Sequence, residues 1–128
     1  MAPKTLRILI VDDSHVIRRR LASMVAGMEG MEVIAEAADG VQGLDLAVRE
    51  TPDVVIADVR MPGMSGIDLL RELKTRPDPP TVVMLTNYPY PAYRKRCREL
   101  GADHFFDKST EFEAALHVLR GMTGTHEA

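Results

Sequence analysis

The sequence contains one cysteine, Cys97, in 128 residues, so no internal disulfide can form and a reducing compartment is the simple reading. Long apolar runs are missing. Stretches such as Val82 to Leu85 fall far short of the ~20 residues a bilayer-spanning helix needs. Met1 to Lys4 leads straight into a strand-like segment with no signal-peptide hydrophobic region. Aromatic residues supply only 5% of the chain, which leaves the core to aliphatic side chains. There is no excess of positive charge: the formal net charge is −3, so no global field draws nucleic acid. His15, His104, His117 and His126 lack the spacing of a metal-ligand set. Internal repeats, linkers and low-complexity stretches are also lacking. These absences leave a cytoplasmic, soluble, single domain over 1–128, with a core at about 6–120 and a frayed tail at 121–128. Neither a membrane nor direct contact with nucleic acid is expected.

What the chain does contain is an alternation. Leu6 to Val11, Met31 to Ala35, Val54 to Ala57, Thr81 to Leu85 and, more weakly, His104 to Phe106 read as strands. The first, third and fourth are nearly unbroken runs rich in Val and Ile, the pattern of strands buried on both faces of a parallel sheet. Helix-period segments separate them. Ile17, Leu21, Met24, Val25 and Met28 follow Asp13-Ser14; Val41, Leu44 and Val48 form a second stripe; Ile67, Leu70 and Leu73 follow the start signal Ser65-x-x-Asp68. Tyr93, Cys97 and Leu100 follow two prolines and stop at Gly101, and Phe112, Leu116 and Leu119 follow Thr110-x-x-Glu113, which has the capping-box form. Five βα units with parallel strands predict a doubly wound α/β three-layer sandwich.

In such sheets ligands sit beyond the carboxyl ends of the strands, where the strand order reverses. Asp12 and Asp13 close the first strand and Asp58 the third. If those strands are neighbours the carboxylates converge, which is unfavourable unless a proton or cation lies among them. A hard cation that keeps several waters suits the site, and Mg²⁺ is the expected one. Thr86 closes the fourth strand and Lys108 follows the fifth. A hydroxyl and an ammonium facing three carboxylates could bind a tetrahedral oxyanion. Taken singly, each of these residues also reads as an ordinary cap, strand-end or surface group.

The motifs Ile10-Val11-Asp12-Asp13-Ser14, Asp58-Val59-Arg60-Met61-Pro62-Gly63-Met64-Ser65-Gly66, Leu85-Thr86 and Phe105-Phe106-Asp107-Lys108, in this order and spacing, resemble the receiver domains of two-component response regulators, over about Leu6 to Arg120. The resemblance implies a flavodoxin-like sheet of order 2-1-3-4-5. It implies that Asp58 is the phosphoacceptor, and that Asp12, Asp13, Asp58 and the backbone carbonyl of Arg60 hold Mg²⁺. Thr86 is then the switch hydroxyl, Lys108 the lysine that pairs with the phosphoryl group, and Phe105 the switch aromatic. The implied partners are a sensor histidine kinase or phosphotransfer protein and a downstream effector that reads the surface of the fourth helix, fifth strand and fifth helix, with a weak homodimer left open. Such a domain is not an enzyme with an external substrate; it catalyses only its own phosphorylation and dephosphorylation.

Several positions depart from the family pattern. Asn87 stands where Ala or Gly is more usual, Phe105 lacks the hydroxyl of the usual Tyr, and Ser109 replaces the proline often found after the lysine. Arg60 and Tyr88 are bulky neighbours of the phosphoryl site, so a phosphoryl lifetime unlike that of fast chemotaxis regulators is expected. Arg18-Arg19-Arg20 and Arg94-Lys95-Arg96-Cys97-Arg98 read either as solvated faces or as docking surfaces for an acidic partner. Cys97 reads as buried and inert. The rival to a stand-alone module is the receiver half of a truncated DNA-binding regulator; the tail shows no start of a linker, which favours the former. Haloacid-dehalogenase-type phosphatases need a DxD arrangement that Asp12-Asp13-Ser14 lacks, and a flavodoxin needs a hydroxyl-rich phosphate loop there.

Overall fold

The structure, a computed structural model, describes residues 5–123. Met1 to Lys4 and positions 124–128 of the expected tail lie outside the described residues. Ten elements alternate along the chain: β1 (Leu6–Val11), α1 (His15–Ala26), β2 (Met31–Ala37), α2 (Gly40–Glu50), β3 (Val54–Ala57), α3 (Gly66–Lys74), β4 (Thr81–Thr86), α4 (Pro91–Glu99), β5 (His104–Asp107) and α5 (Phe112–Gly121). The five strands form one parallel sheet in the order β2-β1-β3-β4-β5. The sequence-predicted fold class and strand order are those observed.

The apolar runs explain the layering. Side chains alternate between faces along a strand. Ile8, Ile10, Val54, Ile56, Val83 and Leu85 therefore point one way and pack under α1 and α5 with Leu21, Val25, Leu116 and Leu119. Leu9, Val11, Val55, Ala57, Val82 and Met84 point the other way, against Ala47 of α2, Leu69, Leu70 and Leu73 of α3 and Cys97 of α4. Strands β2, β4 and β5 run past their expected ends to Ala37, Thr86 and Asp107. Backbone pairing such as Thr86 with Asp107 continues the ladder regardless of side-chain polarity.

Side chains cap three helices. Ser14 accepts from the Ile17 N–H, Asp39 from Gln42 and Ser65 from Asp68. After α4, Gly101 takes φ 98°, and the Gly101 and Ala102 N–H groups donate to the carbonyls of Arg98 and Cys97, a Schellman ending. The expected capping box of α5 does not form. Glu111 occupies the cap position without a side-chain cap bond. Asp107 instead closes its own turn by accepting from the Ser109 N–H and Oγ, and Glu111 Oε1 accepts from the Asp107 N–H.

The stripe of α2 is a second correction. Leu44 packs against the core as expected, but Val41 and Val48 are 61% and 47% exposed, while Gly40, Gly43 and Ala47 face inward. The reason is distance: a Cβ at Gly43 would stand 2.9 Å from both methyls of Val11, so only a small residue lets α2 approach β1. The face was chosen by small size, which hydrophobic spacing does not register.

At the opposite end of the sheet from Asp58, the Asp103 Oδ2 accepts from the Val82 N–H and from Lys74 Nζ, both at 2.8 Å, and Lys74 also donates to the Pro80 carbonyl. Burial alone would raise the Asp103 carboxyl, but these bonds outweigh it and hold the group below the ordinary carboxyl range.

Two outcomes follow, both read by urea denaturation. Gly43→Val should lower unfolding free energy by ~1–3 kcal/mol through overpacking, with Val41→Ser within about 0.5 kcal/mol of wild type; equal losses at the two positions would contradict the assigned α2 face. A carboxyl held low in the fold stabilises it above the group's ordinary pKa and loses that contribution as pH falls through the lowered value. Asp103→Asn should therefore be less stable than wild type at neutral pH, and the difference should shrink as pH drops below about 4.

Candidate functional site

The strand order makes β1 and β3 neighbours on either side of the reversal, and their carboxyl ends bring Asp12, Asp13 and Asp58 together. One carboxylate oxygen from each lies within 4.8 Å of the others. Backbone bonds place the three. The Asp12 N–H donates to the Ala37 carbonyl of β2 and the Asp58 N–H to the Val11 carbonyl of β1. The Ser14 N–H donates to Asp12 Oδ1 at 2.8 Å, which turns that carboxylate over the start of α1. Gly66 opens α3 directly against the site: its N–H donates to the Val59 carbonyl, and a Cβ there would collide with the Asp58 carbonyl oxygen.

Lys108 crosses from the far side of the sheet. Its backbone N–H donates to the Thr86 carbonyl at 2.8 Å, and its Nζ donates to Asp12 Oδ2 at 2.6 Å and Asp58 Oδ2 at 2.9 Å. Four of the polar residues at the strand ends are covered: Asp12 is 3% exposed, Asp58 5%, Lys108 9% and Thr86 fully buried. Asp13 is exposed at the mouth. Asp58 Oδ1 is buried and has no hydrogen-bond partner.

Charge in this site does not balance. Two buried carboxylates share one ammonium, and Asp13 adds a third anion. Burial, the largest influence, raises the Asp12 carboxyl above its ordinary range; the Asp58 charge adds to that, and the bonds from Lys108 and Ser14 oppose it without cancelling it. Burial would by itself lower the Lys108 ammonium, but its bonds to Asp12 and Asp58 prevail and hold it above an ordinary lysine. The causes differ: burial raises Asp12, and the two carboxylates raise Lys108.

The unpartnered Oδ1, the all-carboxylate donor set and this excess fit a hard divalent cation such as Mg²⁺, which needs only one or two carboxylates plus waters.

The remaining expected residues surround this cluster. Thr86 Oγ1 accepts from the Tyr88 N–H at 3.0 Å. The Arg60 guanidinium stacks 4.3 Å from the Tyr88 ring, two residues beyond Asp58 and Thr86 respectively. Asn87 lines an open groove of about 410 Å³ with Lys108, Ser109, Ile17, Arg20 and Phe112. Phe105 is half-buried, away from the carboxylates, under the guanidinium of Arg94. Arg18 was missed: its Nη1 donates to the Asp12 carbonyl at 2.7 Å while its Nε lies 3.3 Å from Glu36. Its position one helical turn after the Ser14 cap was the available signal.

Comparison with known proteins agrees with this architecture. The response regulator receiver domain family matches residues 8–120. The sporulation initiation phosphotransferase F of Bacillus subtilis is 36% identical over 114 residues, covering 89% of this chain and 90% of that protein. A protein-glutamate methylesterase/protein-glutamine glutaminase of Alkalilimnicola ehrlichii is 40% identical over 80% of this chain. This chain spans only 23% to 30% of the length of the curated methylesterase relatives it matches. Among solved structures, the response regulator domain of Thermotoga maritima CheB superposes with a TM-score of 0.83 at 24% identity, covering 98% of this chain and all of that one, a likeness of fold. No helix of the described residues is long and apolar enough to cross a membrane.

The charge imbalance can be measured. Asp13→Asn, which removes one anion, should stabilise the protein in chelator by about 1 kcal/mol. In millimolar Mg²⁺ the wild type should gain more stability than the variant. Equal stabilities under both conditions would show that the three carboxylates do not interact.

Proposed function

The chain belongs to the response regulator receiver domain family, and from that membership we propose that it accepts a phosphoryl group onto Asp58 from the phosphohistidine of a sensor histidine kinase or a phosphotransfer protein. We take 1–128 as one receiver module, with its core at about 6–120. The observation that carries the reading is the buried Asp12–Lys108–Asp58 bridge with its unpartnered Asp58 Oδ1. A carboxylate held by one oxygen and uncommitted in hydrogen bonding at the other keeps a lone pair for attack.

Asp12, Asp13 and Asp58, with the Arg60 backbone carbonyl, would hold Mg²⁺. Bound there, the ion offsets the repulsion between an anionic nucleophile and an anionic donor. In the transfer an oxygen of the Asp58 carboxylate attacks phosphorus in line. The O–P bond forms as the P–N bond breaks, and the electron pair leaves with the imidazole nitrogen. Lys108, held protonated between the two carboxylates, follows the negative charge onto the new phosphoryl oxygens.

Thr86 couples the site to the surface. Its Oγ1 accepts from the Tyr88 N–H, so turning its hydroxyl toward a phosphoryl oxygen releases that bond and loosens the loop between β4 and α4. Space vacated by Thr86 lets Phe105 rotate inward, and the surface of α4, β5 and α5 changes for an effector protein. Taking such a switch from 1:99 to 99:1 needs about 5.5 kcal/mol of differential interaction. Several charge-assisted bonds in a covered site are of that order, at roughly 1.5–3 kcal/mol each. The Arg60–Tyr88 stack narrows the approach of water and so acts on phosphoryl lifetime. We read the receiver module itself as a signalling domain; its match to the methylesterase relatives covers less than a third of their length.

Incubation with radiolabelled acetyl phosphate should label the wild type and not Asp58→Asn, and excess chelator should suppress labelling. Persistence of label at the same yield in Asp58→Asn would mean that another residue is the acceptor.

A further inference from the structure

We propose that Arg18, anchored by Glu36, is a positioning residue for the carboxylate cluster: it fixes the peptide between Asp12 and Asp13, keeps their carboxylates converged with Asp58, and so sets the affinity for Mg²⁺. The proposal rests on the reading above that Asp12, Asp13 and Asp58 hold that ion.

The two adjacent aspartates are held very differently. Every polar atom of Asp12 is engaged. Its N–H donates to the Ala37 carbonyl, Oδ1 accepts from the Ser14 N–H, Oδ2 accepts from Lys108 Nζ, and its carbonyl accepts from Arg18 Nη1. Asp13 is exposed, and among the described residues its carboxylate makes no hydrogen bond or ion pair. Its direction is therefore set by the peptide group that joins it to Asp12. The oxygen of that group is the atom Arg18 holds, at 2.7 Å.

No regular element would otherwise hold this oxygen. β1 ends at Val11, and α1 begins at His15 after the Ser14 cap. The Arg18 N–H donates to the Ser14 carbonyl, so the helix ladder starts two residues beyond Asp12. A carbonyl left outside both ladders has to be satisfied by a side chain or by water. A side chain fixes its direction; water does not.

Arg18 can fix it because a guanidinium presents several donors in one rigid plane and serves two partners at once. While Nη1 bonds to Asp12, Nε lies 3.3 Å from Glu36 Oε1, and the two side chains are only 13% and 19% exposed. Glu36 precedes Ala37 on β2. The end of β2 thus grips Asp12 twice, directly at its N–H and through Arg18 at its carbonyl. Charge explains why the anchor is acidic. An unpaired guanidinium would offset the anionic excess that draws a divalent cation, and the dipole of α1 disfavours a cation near its amino end. Paired with Glu36, Arg18 brings a donor to the site without net charge. Arg19 also pairs with Glu36, but from an exposed position and without touching Asp12, which makes it the natural control.

The test measures Mg²⁺ affinity of the full chain from the rise in urea midpoint with Mg²⁺ concentration. The series starts in chelator, so losses of stability and of affinity are read separately. Arg18→Gln should weaken Mg²⁺ binding by about tenfold, and raise by the same factor the Mg²⁺ that half-saturates acetyl phosphate labelling of Asp58. Arg19→Gln should change neither. Glu36→Gln should weaken binding too, and Arg18→Gln combined with Glu36→Gln should be no weaker than Arg18→Gln alone, because Glu36 acts through Arg18. The sign decides the matter. On charge alone, removing a cation beside three carboxylates would tighten Mg²⁺ binding. Tighter or unchanged binding in Arg18→Gln would overturn the positioning role, whatever the midpoint in chelator. Should that variant not fold, Arg18→Lys keeps the charge but cannot serve both partners; wild-type affinity there would overturn the proposal equally. A wild-type midpoint that ignores Mg²⁺ would refute the underlying reading of the carboxylates instead, before any variant is compared.

Discussion

Two buried carboxylates from different strands share one ammonium from a third, and much of this protein's design answers to that arrangement. Lys108 cannot neutralise both Asp12 and Asp58, and Asp13 adds a further anion at the mouth. A buried ion cluster of this kind is weak evidence for stability, because desolvation offsets most of the attraction. Its value lies in poise: the site keeps an excess of negative charge and an unpartnered acceptor, Asp58 Oδ1, under cover. Burial raises the Asp12 carboxyl, and the two carboxylates raise the Lys108 ammonium.

The scaffold makes such a cluster tolerable by holding its backbone rigid. Asp12 and Asp58 are fixed by ladder-like bonds to Ala37 and Val11 on neighbouring strands, Lys108 by a bond to Thr86. The absence of a side chain at Gly66 lets α3 begin against the Asp58 carbonyl, and at Gly43 it lets α2 settle on Val11. Two well-packed layers of aliphatic side chains, one on each face of the sheet, leave the carboxyl edge as the place where polar groups collect. A core packed this way has discrete rather than graded arrangements.

Surface charge follows a related division. The basic run on α1 is consumed internally by Glu36 and Phe112, and so supports the site through Arg18 and the Asp12 carbonyl. On α4, Arg96 reaches Glu99 and Arg94 rests on the Phe105 ring, while Lys95 and Arg98 have no ion-pair partner among the described residues.

Most of the fold was legible in the sequence because its signals are local. Unbroken Val and Ile runs marked the three central strands, Ser65-x-x-Asp68 marked the start of α3, and Gly101 the end of α4. Asp12, Asp13, Asp58, Thr86 and Lys108 could be placed at strand ends by position alone. What spacing misread were features set by contacts. The inward face of α2 is chosen by the closeness of Val11, not by Val41 and Val48. The turn before α5 is closed by Asp107, not by Thr110. Strand periodicity is a property of neighbouring residues and is carried by the chain itself. Which charges meet is different: Lys108 reaches Asp12 across 96 positions and Asp58 across 50. Only the packed sheet decides that pairing, because electrostatic and steric forces act over ångströms in space and take no account of distance along the chain.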